Sequence, residues 1–237
     1  MPTASEAGGD ENCDHRRRSG NVGRTLGGAL RIRGHAVVYG VRDPARSPER
    51  VAKPVRDALK GAELVILATP WNATEALVCE HAEELAGKIV IDATNPINPS
   101  RTRLAVGFDT SGAELLQGQA RKATFFKAFN SARVAVMAKP QFPEGNAIMF
   151  VAGPGGAGKS TVLRIAEDVG FDAVDAGELK VARLLEPLAM LWLSRPSSRE
   201  PAATWPSSWR AAMPQTHRPI RALGWSDPIL KQWSNHG

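Results

Sequence analysis

The run Ser19-Gly20-Asn21-Val22-Gly23 carries the residue types of a phosphate-binding loop. A dinucleotide site in the pattern G-x-G-x-x-G uses glycine where the backbone approaches a pyrophosphate and where a helix packs closely on a strand. Gly20 and Gly23 stand at the second and third glycine places. Arg18 stands at the first, and Arg16-Arg17-Arg18 lies where the preceding buried strand belongs, so that strand is expected to be degenerate. Backbone amides of residues 20–22 would open a helix, where free N–H groups and the dipole favour an anion. A second phosphate motif spans residues 153–161, Gly-Pro-Gly-Gly-Ala-Gly-Lys-Ser-Thr, and fits G-x-x-x-x-G-K-[ST]. In that reading Lys159 reaches the phosphates and Ser160 a magnesium ion. The motif falls late in the chain, only a short apolar run follows it, and no later strand ends in Asp. Lys159 is therefore expected to be solvent-exposed and dispensable.

The elements around these loops alternate between strand and helix signals. Residues 25–33 read as a helix ending at Gly34, 35–40 as a strand, and 54–60 as a helix ending at Gly61. Residues 63–68 and 88–93 are continuous apolar runs flanking a helical stretch at 75–86. Such runs suit parallel strands covered on both faces. Residues 125–129, 147–152 and 171–174 add strands, 161–169 a helix, and 179–193 a helix that Pro187 should bend. This alternation predicts an α/β, Rossmann-like, doubly wound parallel sheet in a single domain.

The 237 residues are 43% hydrophobic with a net charge of +6. Arg16-Arg17-Arg18 is the only dense basic cluster, and no aromatic residue interleaves it, so nucleic-acid binding is not expected. No apolar run is long enough to cross a membrane, and no signal peptide is expected. Cys13 and Cys79 cannot build a disulfide framework, which points to a reducing, cytoplasmic setting. Cys79-Glu80-His81 lacks metal-ligand spacing, so no metal site is expected and His81 reads as an exposed helix residue. The organised domain is placed at residues 19–193. Residues 1–18 read as a disordered or non-native head, and 194–237 as a disordered tail rich in Pro, Trp and Arg.

The middle of the chain resembles the NADPH-dependent reductases of the deazaflavin coenzyme F420. The resemblance rests on SGNVGRTLGGAL, RGHAVVYGVRDP, LATPW, VIDATNPI, KAFN, MFVAG, EDVGFDAVDAG and ARLLEPLA, in that order over residues 19–193. It implies a Rossmann domain binding NADP(H), a small deazaflavin or flavin-like acceptor seated over the nicotinamide, and allows a homodimer. Ser19, Gly20, Asn21, Val22 and Gly23 then form the cofactor loop.

Arg42, at the end of the second strand, can fork onto the extra phosphate of NADP. Relatives often carry Ser just before that Arg; Val41 stands here. Ala68-Thr69-Pro70-Trp71 and Thr94-Asn95-Pro96 follow strands at their carboxyl ends, where open α/β sheets bind ligands. Thr69 and Asn95 offer polar contacts near ribose and nicotinamide. Trp71 reads either as a wall for the ring or as a surface cap on the next helix. Lys127 and Asn130 are candidate contacts to the acceptor, or else a solvated strand edge and turn chemistry. No catalytic acid or nucleophile is expected, because hydride passes between two cofactors held face to face. The two alternatives are an inactive Rossmann remnant lacking its first strand, and a nucleotide-binding protein using residues 153–161.

Overall fold

A computed structural model describes residues 21–49 and 51–193. The degenerate first strand, Ser19, Gly20 and both predicted tails lie outside the described residues. The described residues open with α1 (Asn21–Ile32), followed by β1 (Tyr39–Val41), a one-turn helix at Pro44–Arg46, β2 (Ala52–Pro54) and α2 (Val55–Leu59). Then come β3 (Leu64–Leu67), α3 (Trp71–Glu80), β4 (Ile89–Asp92), α4 (Gly112–Gln119), β5 (Thr124–Lys127) and α5 (Val134–Ala138). A small hairpin, β6 (Gln141–Phe142) and β7 (Gly145–Asn146), leads into β8 (Ile148–Ala152), α6 (Ala157–Val169), β9 (Asp172–Gly177) and α7 (Ala182–Leu193).

The main sheet has five strands in the order β3-β4-β5-β8-β9. β3, β4 and β5 run parallel, with Leu64 beside Ile89 and Ile89 beside Thr124. β8 runs antiparallel to β5 through the single pair Lys127–Ala152, then pairs in parallel with β9. Neighbouring side chains on β3, β4 and β5 enter opposite cores, as period-two geometry requires. Val90 and Phe125 join Leu67, Val78 and Leu116 on one face. Ile91 and Phe126 join Leu26, Leu30, Val162 and Ile165 on the other. Helices thus cover both faces, the arrangement of a doubly wound α/β fold. Each fully buried Phe contributes about 1.5–3 kcal/mol relative to an exposed one.

Several predicted boundaries move. Of the strand expected at 35–40, only Tyr39 and Gly40 pair; the strand runs on to Val41, and its partner is Ala52–Pro54 in a separate two-stranded sheet. Val37 packs its side chain on the core without joining a strand. The helix expected at 75–86 begins at Trp71, directly after Pro70, and ends at His81. The helix expected at 161–169 begins at Ala157, because Gly156 at φ 92° turns the chain into it. α5 and the β6–β7 hairpin lie between β5 and β8, which pair antiparallel. Helix α4 has a capping box that the sequence displays as Ser111-Gly-Ala-Glu114: Glu114 N donates to Ser111 Oγ at 3.2 Å.

Candidate functional site

The carboxyl ends of β3, β4 and β5 lie side by side, and the loops leaving them hold most of the predicted site. Helix α1 approaches from one face. A Cβ on Gly23 would sit 3.4 Å from Ala68 Cβ, so the helix start rests on the loop after β3 at ordinary contact distance. A tighter approach comes one turn later, where a Cβ on Gly27 would meet Tyr39 Oη at 2.5 Å. The sequence reading missed Gly27. Asn21 opens α1, and Val22 is half-buried against the core.

Arg42 follows β1, is exposed, and makes no hydrogen bond or ion pair among the described residues. The adjacent Asp43 is occupied locally. Its Oδ1 accepts from Ala45 N at 3.1 Å, and its Oδ2 lies 3.3 Å from Arg46 Nε. Beside this loop, Arg24 of α1 pairs with Glu49 at 3.2 Å.

After β3, the Thr69 and Thr74 hydroxyls meet at 2.8 Å, and Thr74 Oγ1 donates to Pro70 O at 3.0 Å. These bonds fix the turn that carries Ala68, Thr69 and Pro70. Trp71 is buried, which corrects the surface-cap alternative. Its indole lies against α4, where a Cβ on Gly112 would approach Cζ3 at 2.9 Å.

Asn95, half-buried after β4, and Asn130, buried after β5, bond reciprocally. Asn95 Nδ2 donates to Asn130 O at 2.9 Å, and Asn130 Nδ2 donates to Asn95 Oδ1 at 3.0 Å. Asn130 Nδ2 also donates to Leu185 O of α7 at 2.8 Å. Asn130 Oδ1 is buried and has no partner among the described residues. The preceding Phe129 holds φ 61°, uncommon for a bulky residue. Pro96 is buried beside this pair.

Lys127 corrects the expectation of a solvated strand edge. β5 lies inside the sheet, and the Lys127 side chain is wholly buried. Its Nζ reaches Asp92 Oδ2 at 2.8 Å, Thr94 O at 2.7 Å and Glu186 Oε1 at 2.8 Å. An ammonium group has three N–H donors, so none remains for an acceptor molecule. Burial opposes the Lys127 charge, but Asp92 and Glu186 outweigh it and hold its pKa above the ordinary lysine value. Asp92 Oδ1 also accepts from Thr94 N at 2.9 Å and Thr94 Oγ1 at 2.7 Å. Glu186 accepts from Gly112 N at 2.9 Å and Ala113 N at 3.2 Å, so α7 caps α4. Asp92 and Glu186 were missed, and Thr94 was recognised only as part of its strand-end loop. A lone Glu in the apolar helix ARLLEPLAMLWL and a lone Lys in TFFK were the available signals.

The second phosphate motif serves packing. A Cβ on Gly153 would meet the Phe126 ring at 2.2 Å, and one on Gly158 would meet it at 3.0 Å. Lys159 is buried, contrary to expectation: its Nζ pairs with Asp175 and donates to Gly177 O at 2.8 Å. His81 is also buried, at the end of α3 between Glu80 and Glu84. Among the described residues, no helix is long and apolar enough to cross a membrane.

A mostly parallel sheet covered on both faces, with a helix start resting on the first of three adjoining strand-end loops, is the arrangement of dinucleotide-binding α/β proteins. The family described as NADP oxidoreductase, coenzyme F420-dependent, matches residues 19–96. A crystal structure of a proposed F420-dependent NADP reductase from Arthrobacter sp. FB24 is 32% identical, with a TM-score of 0.67 over 74% of this chain and 89% of that one. This chain belongs to the coenzyme F420-dependent NADP oxidoreductase family. The F420-dependent NADP reductase of Methanocaldococcus jannaschii is 31% identical over 141 residues, 57% of this chain and 63% of that protein. Metalloreductase STEAP3 of Rattus norvegicus is 31% identical over 180 residues, 73% of this chain but 36% of that protein. The chain thus spans less than two thirds of the length of either curated relative.

Proposed function

We propose that the chain is an NADP(H)-dependent oxidoreductase that passes hydride between the nicotinamide and a deazaflavin or flavin-like acceptor. The observation that carries this reading is the convergence of Thr69, Asn95 and Asn130 at three adjoining strand ends beside the start of α1. A pyrophosphate at that helix start leaves the nicotinamide half to extend over the strand ends. Arg42 is unengaged among the described residues and suits a phosphate, while Asp43, the nearby carboxylate that could bind a ribose diol, caps its own turn. The unpaired Asn130 Oδ1 is a polar group that such a ligand can satisfy. These features fit NADP.

The nicotinamide supplies the hydride chemistry. The chain's part is to fix the loops that position two rings, which lowers the entropic barrier to their meeting. The Thr69–Thr74 bond, the Asn95–Asn130 pair and the buried Lys127 cluster do this. The phosphate-loop alternative is disfavoured, because Lys159 is tied to Asp175 and Gly177. A cytoplasmic, reducing setting suits the exposed free Cys79.

Fluorescence titration with NADPH and NADH tests the cofactor assignment, and the absorbance of coenzyme F420 or a flavin during turnover tests the acceptor. Tighter NADPH binding with reduction of one of these rings is the expected result. A folded chain that binds neither nucleotide would instead be a Rossmann remnant.

A further inference from the structure

We infer that Asn130 Oδ1 is the acceptor that receives the carboxamide N–H of the nicotinamide. The inference rests on the NADP reading above and adds a residue-level contact to it. An Asn side chain has two N–H donors and one carbonyl acceptor. Here the nitrogen is doubly engaged, by Asn95 Oδ1 at 3.0 Å and Leu185 O at 2.8 Å. Both partners are carbonyl oxygens, so a flipped amide would set oxygen against oxygen, and the observed orientation is fixed. That leaves Oδ1 as a buried carbonyl with nothing to accept from. An unmade hydrogen bond of this kind is costly, and native proteins keep few of them.

Position selects the donor. Asn130 follows β5, the third of the three parallel strands counted from the loop on which α1 rests. A dinucleotide whose pyrophosphate lies at the start of α1 has its nicotinamide end, not its phosphates, over β4 and β5. The nicotinamide carboxamide offers an N–H, whereas the neighbouring ribose offers hydroxyls further along the ligand. Residues 128–133 contain no regular helix or strand, so this turn can shift to uncover Oδ1 without breaking a ladder. Phe129, at φ 61°, is a backbone position in the same turn that such a shift would relax.

The test compares NADP+ with its 3-acetylpyridine analogue, which keeps the ring, both riboses and all phosphates but has a methyl ketone in place of the carboxamide. Calorimetric titration of the full chain should give NADP+ about a tenfold advantage, the scale of one well-made hydrogen bond in a buried site. Asn130→Ala should bring the two affinities together. Circular dichroism checks that Asn130→Ala is folded. Equal affinities in the unmodified chain would overturn the inference while leaving the NADP reading intact. So would an advantage that survives in Asn130→Ala, the result expected if an internal water satisfies Oδ1. Failure of both ligands to bind a folded chain would overturn the NADP reading and this inference with it.

Discussion

Lys127 of β5 and Glu186 of α7 meet at 2.8 Å, with both side chains buried. Their contact joins the last described helix to the centre of the sheet. Buried ion pairs gain little net stability, but removing one partner strands the other charge. Lys127→Met would leave Asp92 and Glu186 facing each other, at an expected cost of about 3–5 kcal/mol in urea unfolding. The pKa of Lys127 is raised in the folded chain, so its stabilisation is full below the ordinary lysine value and fades only as pH rises through the higher folded value. The gap between variant and parent should therefore be the same at neutral pH and at about pH 9. A gap that closes over that interval would contradict a cation held by two carboxylates.

Glu114 has the opposite sign. Arg183 Nε and Nη2 donate to its two oxygens at 2.9 and 2.7 Å, and Ser111 Oγ donates at 2.7 Å. The Arg183 hydrogen bonds, opposed by partial burial and aided by Ser111, hold its pKa below the ordinary glutamate value. A lowered folded pKa gives stability that is full above the unfolded value and lost as pH falls through the folded one. Glu114→Gln should be modestly less stable than the parent at neutral pH, because the pair is partly solvated. The difference should vanish in acid. Urea midpoints measured down the acid range check this, and a difference that grows in acid would reverse the assignment.

Arg42 is the residue expected to separate the two nicotinamide cofactors. Arg42→Ala should weaken NADPH by about 1.5–3 kcal/mol, the range for hydrogen bonds to a charged group. NADH should change little. Parallel fluorescence titrations read the ratio, and an equal loss for both nucleotides would move Arg42 from phosphate recognition to general support of the loop.

The main strands were legible because they are covered on both faces. Continuous runs such as Leu64–Leu67 and Ile89–Asp92 announce burial without alternation. For the same reason the sequence could not say that Phe125 and Phe126 enter different cores. Helix α4 escaped because Gly112 and Gly118 weaken its propensity, although Ser111 and Glu114 spell a cap. The buried cluster escaped for another reason. Lys127 within its own strand reads as an acceptor contact or a solvated edge cation, and nothing near it in the sequence points to Glu186; only the topology shows them touching. Two opposite charges, each isolated in its own apolar run, are a pairing signal carried by the amino-acid sequence itself.

Residues 153–161 show how a motif can match while its glycines do different work. Gly153 has no side chain because the buried Phe126 ring lies in the way, whereas a Cβ on Gly155 would meet nothing within 4 Å. Gly153→Ala should therefore cost about 1–3 kcal/mol by overpacking. Gly155→Ala should change stability by less than about 0.5 kcal/mol. Lys159→Met should lower stability by about 1 kcal/mol, because Asp175 loses its partner but stays half in water. In a chain of this size a 1 kcal/mol loss moves the melting temperature by about 2–4 °C. Thermal melts of the three variants, with and without magnesium and ATP, separate the two roles. Packing predicts the order Gly153, Lys159, Gly155 in lost stability, with no response to ATP in any chain. A rise in melting temperature of the unmodified chain on adding ATP, abolished by both Lys159→Met and Gly155→Ala, would return this loop to phosphate binding.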